Sequence, residues 1–449
     1  MSSIKRILII AAAVGCLMLG IAVPGCRDSS DTGAAGVIVL SPHSDNIKYE
    51  IERGFKAYYK AAYGQDVSID WRDIGGGGSA ILSYIRNVYS RSETCGIDVL
   101  FGAGETPHQY LAAEGLLDAY EPAGDYSAAV PEFFGGTRLY DKDHYWHGSV
   151  LRSFGFIYNK QLLKDLSLSV PLSWDDLGKK EYYGRIMLAD PSQSSSIAAA
   201  YEMILQSEKD WQKAWEKLFN ILSNAKKFTS SSSAATVAPG IGEAVIAACI
   251  DYYGALAVQQ DTEKLGYISP RGGTGFTPDP ISILKNAPNR EIARRFVDYT
   301  LSFEGQALWA LKPGDAGGPE KSSLSRPPIR RDVYEKYGEL MPEWLAKPYS
   351  MPPVIIDPAL REQRYDVMIE LVKAAAVDNS AAMTAARKVV NETGDEKLRE
   401  MFYKLPDNVD DIGKIFIVHS KLSDETYLQQ LRRDWSQFYR DKYAEILKD

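Results

Sequence analysis

The first 120 residues alternate between short apolar runs and longer stretches in which apolar side chains recur every three or four positions. Residues 37–40 (VIVL) are too few for a helix and contain no polar member, which predicts a buried strand. Behind them Ile47, Ile51, Phe55, Tyr58 and Ala62 fall on one face of a helix. Its other face carries Glu50, Glu52, Lys56 and Lys60, and Ser44 or Asp45 can cap it. The cycle then repeats. Val67, Ile69 and Trp71 predict a second strand; Ile81, Tyr84, Ile85 and Val88 a second helix; residues 97–101 (IDVLF) a third strand; and 107–117 a third helix with Pro107 in its first turn. Such alternation implies a parallel sheet with helices on its faces. Ligands bind such sheets beyond the carboxyl ends of the strands, so the loops of interest are 41–45, 73–79 and 102–106.

A second block starts near residue 150, with strands predicted at 154–158, 185–188 and 244–250 and helices at 195–206 and 211–222. Residues 266–311 read as two strands and then a helix carrying Ile292, Phe296, Val297 and Leu301. From about 350 to 449 the pattern is mostly helical, with a possible strand at 414–418, and this extension carries no recognisable motif.

The N-terminus has a different pattern. Lys5 and Arg6 precede an apolar run over 7–23 that ends in Pro24, Gly25 and Cys26, the layout of a secretory signal. Residues 27–36 (RDSSDTGAAG) are small and polar, as expected of a flexible tether. The 449 residues are 45% hydrophobic and 24% charged, enough for two or three compact units. Loss of residues 1–25 would take the net charge from −8 to −10, since two cations and no acid leave with them. That balance argues against nucleic acid or an anionic lipid surface as the partner. Cys95 and Cys249 lack the close spacing of a zinc site or a redox pair.

Catalytic machinery is hard to find in this chain. There is no phosphate-binding P-loop and no G-x-S-x-G elbow; Gly102-Ala103-Gly104 is half a dinucleotide fingerprint, with Pro107 at the third glycine position. His144 and His147 have no accompanying metalloprotease carboxylate and read as ordinary polar histidines. Two segments do suit anions. Gly75, Gly76, Gly77, Gly78 and Ser79 open the second helix, and Ser194, Ser195 and Ser196 open the 195–206 helix, where free backbone N–H groups and the helix dipole favour negative charge. Tyr252 and Tyr253 leave the apolar strand 244–250, as packing groups or as ligand contacts.

Taken together, SPHSDNIKYEIERGF, IDVLFGAG with EGLLDAY, FGFIYN, SWDDLGKKEYYGRIMLADPSQSSS, GEAVIAACIDYYG and TPDPISILKNAPNREIARRFVDYTLSFEGQALW resemble, in order over about 37–311, the type II extracellular solute-binding proteins of ABC importers. The resemblance is to the branch containing ferric-iron and thiamine binders. It implies a two-lobed α/β periplasmic-binding-protein type II fold, each lobe a mixed sheet flanked by helices, with the helical extension at 346–449. Lobe one would comprise 37–145 with 265–345, and lobe two 146–264. It further implies a monomeric, non-enzymatic protein that closes on one small ligand and delivers it to a membrane permease, with no cofactor of its own.

The ending Val23-Pro24-Gly25-Cys26 resembles a lipobox, with proline as a departure, which implies lipidation of Cys26 and a periplasmic or cell-surface location. In the ferric branch a histidine follows the first strand and a tyrosine pair follows a strand of lobe two; His43 and Tyr252 with Tyr253 match these positions. The branch's acidic ligand aligns with Ala103, leaving Glu105 two residues away. The implied ligand is therefore either ferric ion, held by His43, Glu105, Tyr252 and Tyr253 with a synergistic anion at Gly76–Ser79 or Ser194–Ser195, or a compact organic solute such as thiamine, a polyamine or a sugar phosphate. An anchored sensor or adhesion module, and a surface hydrolase using His43 or Glu105 as base, are the readings from other classes.

Overall fold

The computed structural model describes residues 35–75 and 77–448; the expected signal 1–25, Cys26, most of the tether and Gly76 lie outside them. Two mixed sheets organise the chain. In the first, Val67–Arg72, Ala35–Leu40 and Val99–Phe101 run parallel, and Thr277–Leu284 returns antiparallel beside Val99–Phe101. The return strand also pairs with Leu117–Asp118 and His147–Arg152. Val37 and Val39 enter the core under helices Asp45–Tyr63 and Arg290–Leu301, while Ile38 and Leu40 enter the core under Gly78–Tyr89 and Glu105–Ala113. Helices cover both faces, which is why this strand carries no polar residue.

The second sheet runs Ala225–Thr229, Ile186–Ala189, Ile246–Ile250, Phe154–Asn159, Leu265–Ile268. The same two-faced burial explains IAACI: Ile246 and Ala248 face one core, Ala247 and Cys249 the other. Cys95 and Cys249 are both free thiols, and burial pushes the Cys249 thiol up to about 12.

The chain crosses between sheets at Arg152-Ser153-Phe154, again between Ile268 and Thr277, and a third time along 351–357. Buried Asp251 fastens the first crossing, accepting from the Ser153 backbone N–H at 2.7 Å and the Ser153 hydroxyl at 2.9 Å. Thr274 of the second crossing accepts from the Phe154 N–H at 2.9 Å. The sheets thus differ from the expected lobe limits. His147–Arg152, expected in lobe two, belongs to the first sheet because it pairs with the return strand, and Leu265–Ile268, expected in lobe one, pairs antiparallel with Phe154–Asn159.

Three expectations about local structure are corrected. Residues 414–418 are not a strand but part of helix Ile412–His419: the Asp411 side chain accepts from the Lys414 N–H, and Ile415 and Val418 bury one helical face. The third helix is Glu105–Ala113, so Leu117 escapes into a strand. The first strand begins at Ala35, inside the stretch expected to be tether. The helical extension is not a separate layer. Leu371, Val372, Phe402, Tyr439 and Tyr443 share one core with Leu218, Phe219 and Leu188 of the second lobe.

Burial also sets a pH response. His108 is fully buried, with Nδ1 2.8 Å from the Ser282 hydroxyl and Nε2 2.7 Å from the Gly102 carbonyl, and desolvation pushes its pKa down to about 4. A histidine whose folded pKa lies below its unfolded value near 6.5 takes up its proton in the unfolded chain first, so its stabilising contribution falls as pH drops below about 6.5. Between pH 7 and pH 5 this group should cost about 2 kcal/mol. Asp251 and Glu202, whose pKa values burial raises, act in the opposite direction. The His108 share is therefore read as a difference: urea unfolding of His108→Gln should show a pH 7 to pH 5 loss about 2 kcal/mol smaller than that of the parent. Equal losses in the two proteins would refute the assignment.

Candidate functional site

A cavity of about 310 Å³ opens between the two lobes. Lobe one contributes Gly78 and Ser79 at the start of helix Gly78–Tyr89, and Ala103 to Pro107 around the start of helix Glu105–Ala113. Lobe two contributes Ser195, Ser196 and Glu202 of helix Ser195–Gln206. The crossing strands supply Arg152, Phe154 and Thr277, and the C-terminal helix Pro358–Val372 supplies Arg361 and Tyr365.

The loop 102–104 holds one side of this cavity. Gly102, Ala103 and Gly104 have φ of 89°, 75° and 79° in succession. A Cβ on Gly102 would lie 2.7 Å from the His43 ring, and one on Gly104 would lie 3.0 Å from the Arg152 guanidinium. The half-fingerprint of the sequence is therefore a close-approach turn, in which glycine is required by the backbone and by its neighbours. Asp279 of the return strand accepts from the Gly104 N–H at 2.8 Å and fixes the turn.

Charge in the cavity is arranged in pairs. The Arg152 guanidinium donates to Glu105 at 2.7 Å and to the Thr277 hydroxyl at 3.1 Å, and Arg361 donates to the other Glu105 oxygen at 3.3 Å. The single Arg364 Nε–H is shared between both Glu202 oxygens behind the wall, at 2.8 and 3.0 Å. With Glu202 neutralised there, Arg152 and Arg361 face the single carboxylate of Glu105, leaving one positive charge in excess. Neither Gly77 nor Ser194 caps its helix with a side-chain hydrogen bond, so first-turn N–H groups from both lobes remain available beside Ser79, Ser195 and Ser196. Ser194 itself is buried behind the wall, with its hydroxyl 3.1 Å from that of Ser232. This arrangement can hold an anion bearing several acceptor oxygens.

His43, Tyr252 and Tyr253 do not line the cavity. His43 is buried against Phe101, and burial lowers its pKa despite the nearby Asp279. Its Nε2 lies 3.1 Å from Arg326 Nη1. A guanidinium only donates, so Nε2 is the acceptor and Nδ1 carries the proton, donated to the Ser41 hydroxyl at 2.9 Å. Arg326 also donates to Asp279 at 2.7 Å and lies 5.7 Å from the Tyr252 ring. A fixed guanidinium therefore stands among the residues expected to hold a trivalent cation, and it consumes the His43 lone pair. Tyr253 packs between the two cores of lobe two, where burial raises its phenol pKa. Among the described residues, no group of three or more His, Cys, Asp or Glu side chains is placed to hold a metal ion. Of the four expected iron ligands, only Glu105 lines this cavity, and both its oxygens are taken by arginines. No residue of the 41–45 loop lines the cavity either.

Arg152, Thr277, Arg361 and Tyr365 were not singled out from sequence. Arg152 did carry a signal: it is a lone charge inside the apolar run SVLRSFGF. Arg361 carried none, being one of several charges on an ordinary surface-patterned helix.

Comparison with known proteins is consistent with this architecture. Residues 97–316 match the family model described as bacterial extracellular solute-binding protein. The phosphoglycerate transport regulatory protein PgtC of Salmonella typhimurium is 29% identical over 246 residues, which are 52% of this chain and 58% of PgtC. Among solved structures, the periplasmic binding protein AfuA of Actinobacillus pleuropneumoniae, with fructose-6-phosphate bound, superposes with a TM-score of 0.55 at 21% identity, covering 80% of this chain and 99% of AfuA. Iron-bound HitA of Pseudomonas aeruginosa gives 0.52 at 20% identity, covering 72% and 94%.

Proposed function

The chain is a type II extracellular solute-binding protein of the kind that serves ABC importers, and on that premise we propose that its ligand is a small phosphorylated or carboxylated organic anion. The observation that carries this reading is the pair of arginines, Arg152 and Arg361, facing two uncapped helix starts from opposite lobes. A hard trivalent cation would meet a net positive wall there, whereas a phosphoryl group offers three acceptor oxygens to N–H donors. The reading agrees with the phosphoglycerate of PgtC's name and the fructose-6-phosphate bound to AfuA. Ligand capture would draw the lobes together about the three crossings, and the closed form would be the one the permease recognises. Export and lipid attachment at Cys26 would hold the protein beside that permease.

A thermal-shift screen distinguishes the ligand classes. At 100 times its dissociation constant a true ligand adds about 2.7 kcal/mol to the stability of the folded state. We expect that shift from 3-phosphoglycerate or fructose 6-phosphate and none from ferric salts, thiamine or spermidine. A shift from ferric ion alone, accompanied by a tyrosinate charge-transfer band, would defeat the reading in favour of iron.

A further inference from the structure

The extension after residue 350 lies outside the stretch matched by the family model, yet Ile356, Arg361 and Tyr365 from it line the cavity. Helix Pro358–Val372 is locked to lobe two. Its Arg364 makes the buried pair with Glu202, the Tyr365 hydroxyl donates to the Ser195 carbonyl at 3.2 Å, and the Asp357 N–H before it donates to Gln206 at 2.7 Å. Val367, Met368, Leu371 and Val372 lie in the lobe-two core. Arg361 therefore moves with lobe two, while its partner Glu105 belongs to lobe one, and the 3.3 Å contact between them spans the cleft.

Glu105 is buried and occupies the midpoint between two guanidinium groups, one oxygen on each. A carboxylate so placed has the charge, the planar oxygen pair and the donors that an acidic ligand group would have. We propose that the C-terminal extension is a wall of the binding site and that Glu105 is an internal occupant of its anion position, displaced when a ligand's phosphoryl or carboxylate group takes over Arg152 and Arg361. The exchange swaps one pair of charge-assisted hydrogen bonds for another, so the two arginines are never left buried and unpaired. It also ties selectivity to charge, because a neutral solute cannot replace Glu105 on the arginines. Tyr365, at the cavity wall beside Arg361, would pack against the body of the ligand. This inference rests on the anionic-ligand reading above.

Calorimetric titration of the purified chain and its Arg361→Gln, Glu105→Gln and Arg152→Gln variants with 3-phosphoglycerate, fructose 6-phosphate and inorganic phosphate tests it. Where the parent binds a probe, Arg361→Gln should weaken that probe roughly tenfold to a hundredfold, the range for losing a charge-assisted hydrogen bond. Glu105→Gln should bind it more tightly than the parent, since the competitor has lost its charge. In the ligand-free protein, a spin-label pair spanning the lobes should report wider separation in both Arg361→Gln and Glu105→Gln. An Arg361→Gln variant that binds like the parent while Arg152→Gln loses binding would overturn the role of the extension and leave the anionic-ligand reading standing. Weaker binding by Glu105→Gln would overturn the displacement, because Glu105 would then be a ligand contact. If the parent binds none of the three probes, the anionic-ligand reading falls and the exchange falls with it.

Discussion

Ending the chain at Asp357 is expected to leave a protein that no longer folds cooperatively, although every residue matched by the family model is retained. Helices from Pro358 to Ile446 do not rest on the surface of lobe two; they complete its interior. Phe219 of lobe two meets Phe402 and Tyr439 of the extension at ring-centroid separations of 6.4 and 6.1 Å, and the Trp211 indole donates to the Val409 carbonyl at 3.2 Å. Leu371, Val372, Phe402, Tyr439 and Tyr443 are essentially inaccessible to water. Each such side chain contributes about 1.5–3 kcal/mol on burial, so five approach the entire stability of about 5–15 kcal/mol typical of a folded domain. Truncation would also remove Arg364 from its buried ion pair with Glu202. Urea unfolding followed by tryptophan fluorescence, with a dye for exposed apolar surface, checks this. A truncated chain with a sharp transition at the parent's midpoint would show that the extension is dispensable.

Replacing Arg326 with leucine should have the second largest effect, a loss of about 3–5 kcal/mol of stability, because it strands a carboxylate in the interior. Arg326 and Asp279 are both nearly inaccessible, at 4% and 8% of side-chain surface, and form a buried ion pair at 2.7 Å. Burial by itself would raise the Asp279 pKa; the Arg326 charge and the more distant Arg152 charge together hold it well below the usual carboxylate range. A depressed carboxylate stabilises the fold above its unfolded pKa near 3.9, and that contribution disappears as pH falls through the lower folded value. In Arg326→Leu the carboxylate should instead protonate on burial, so the destabilisation should be greatest at neutral pH and shrink in acid. Adding Asp279→Asn should recover a substantial part of the loss, since the stranded charge is gone. A double variant as unstable as the single one would place the cost in lost packing around Trp309 and not in the charge pair.

The same residues show how far the sequence could be read. VIVL and IAACI are wholly apolar and IDVLF is apolar apart from Asp98, as a strand covered on both faces requires, so strands and their flanking helices could be recognised from periodicity alone. The two serine- and glycine-rich helix starts were likewise legible, because an uncapped N-terminus is a local property of five or six residues. His43, Tyr252 and Tyr253 match the ferric branch's ligands by position, yet none of them lines the cavity. Arg326 lies 283 residues beyond His43, and nothing local to either residue announces that one will occupy the other's lone pair. The strand expected at 414–418 failed for a simpler reason: a short apolar run fits a strand and a helix turn equally well, and the Asp411 cap with the packing of Ile415 and Val418 selected the helix.

What the chain determines by itself is therefore the local grammar: alternating strands and helices, the anion-competent helix starts, and the glycines of the 102–104 turn. These follow from side-chain period, backbone freedom and the dipole of a helix, all of which act within a few residues. Tertiary structure alone decided which charges meet in the cleft. Arg152, Glu105 and Arg361 are separated by 47 and 256 residues from one another along the chain, and only the crossing strands and the core shared with the extension bring them within hydrogen-bonding distance. Electrostatic partnership depends on distance in space, and sequence records distance only along the chain.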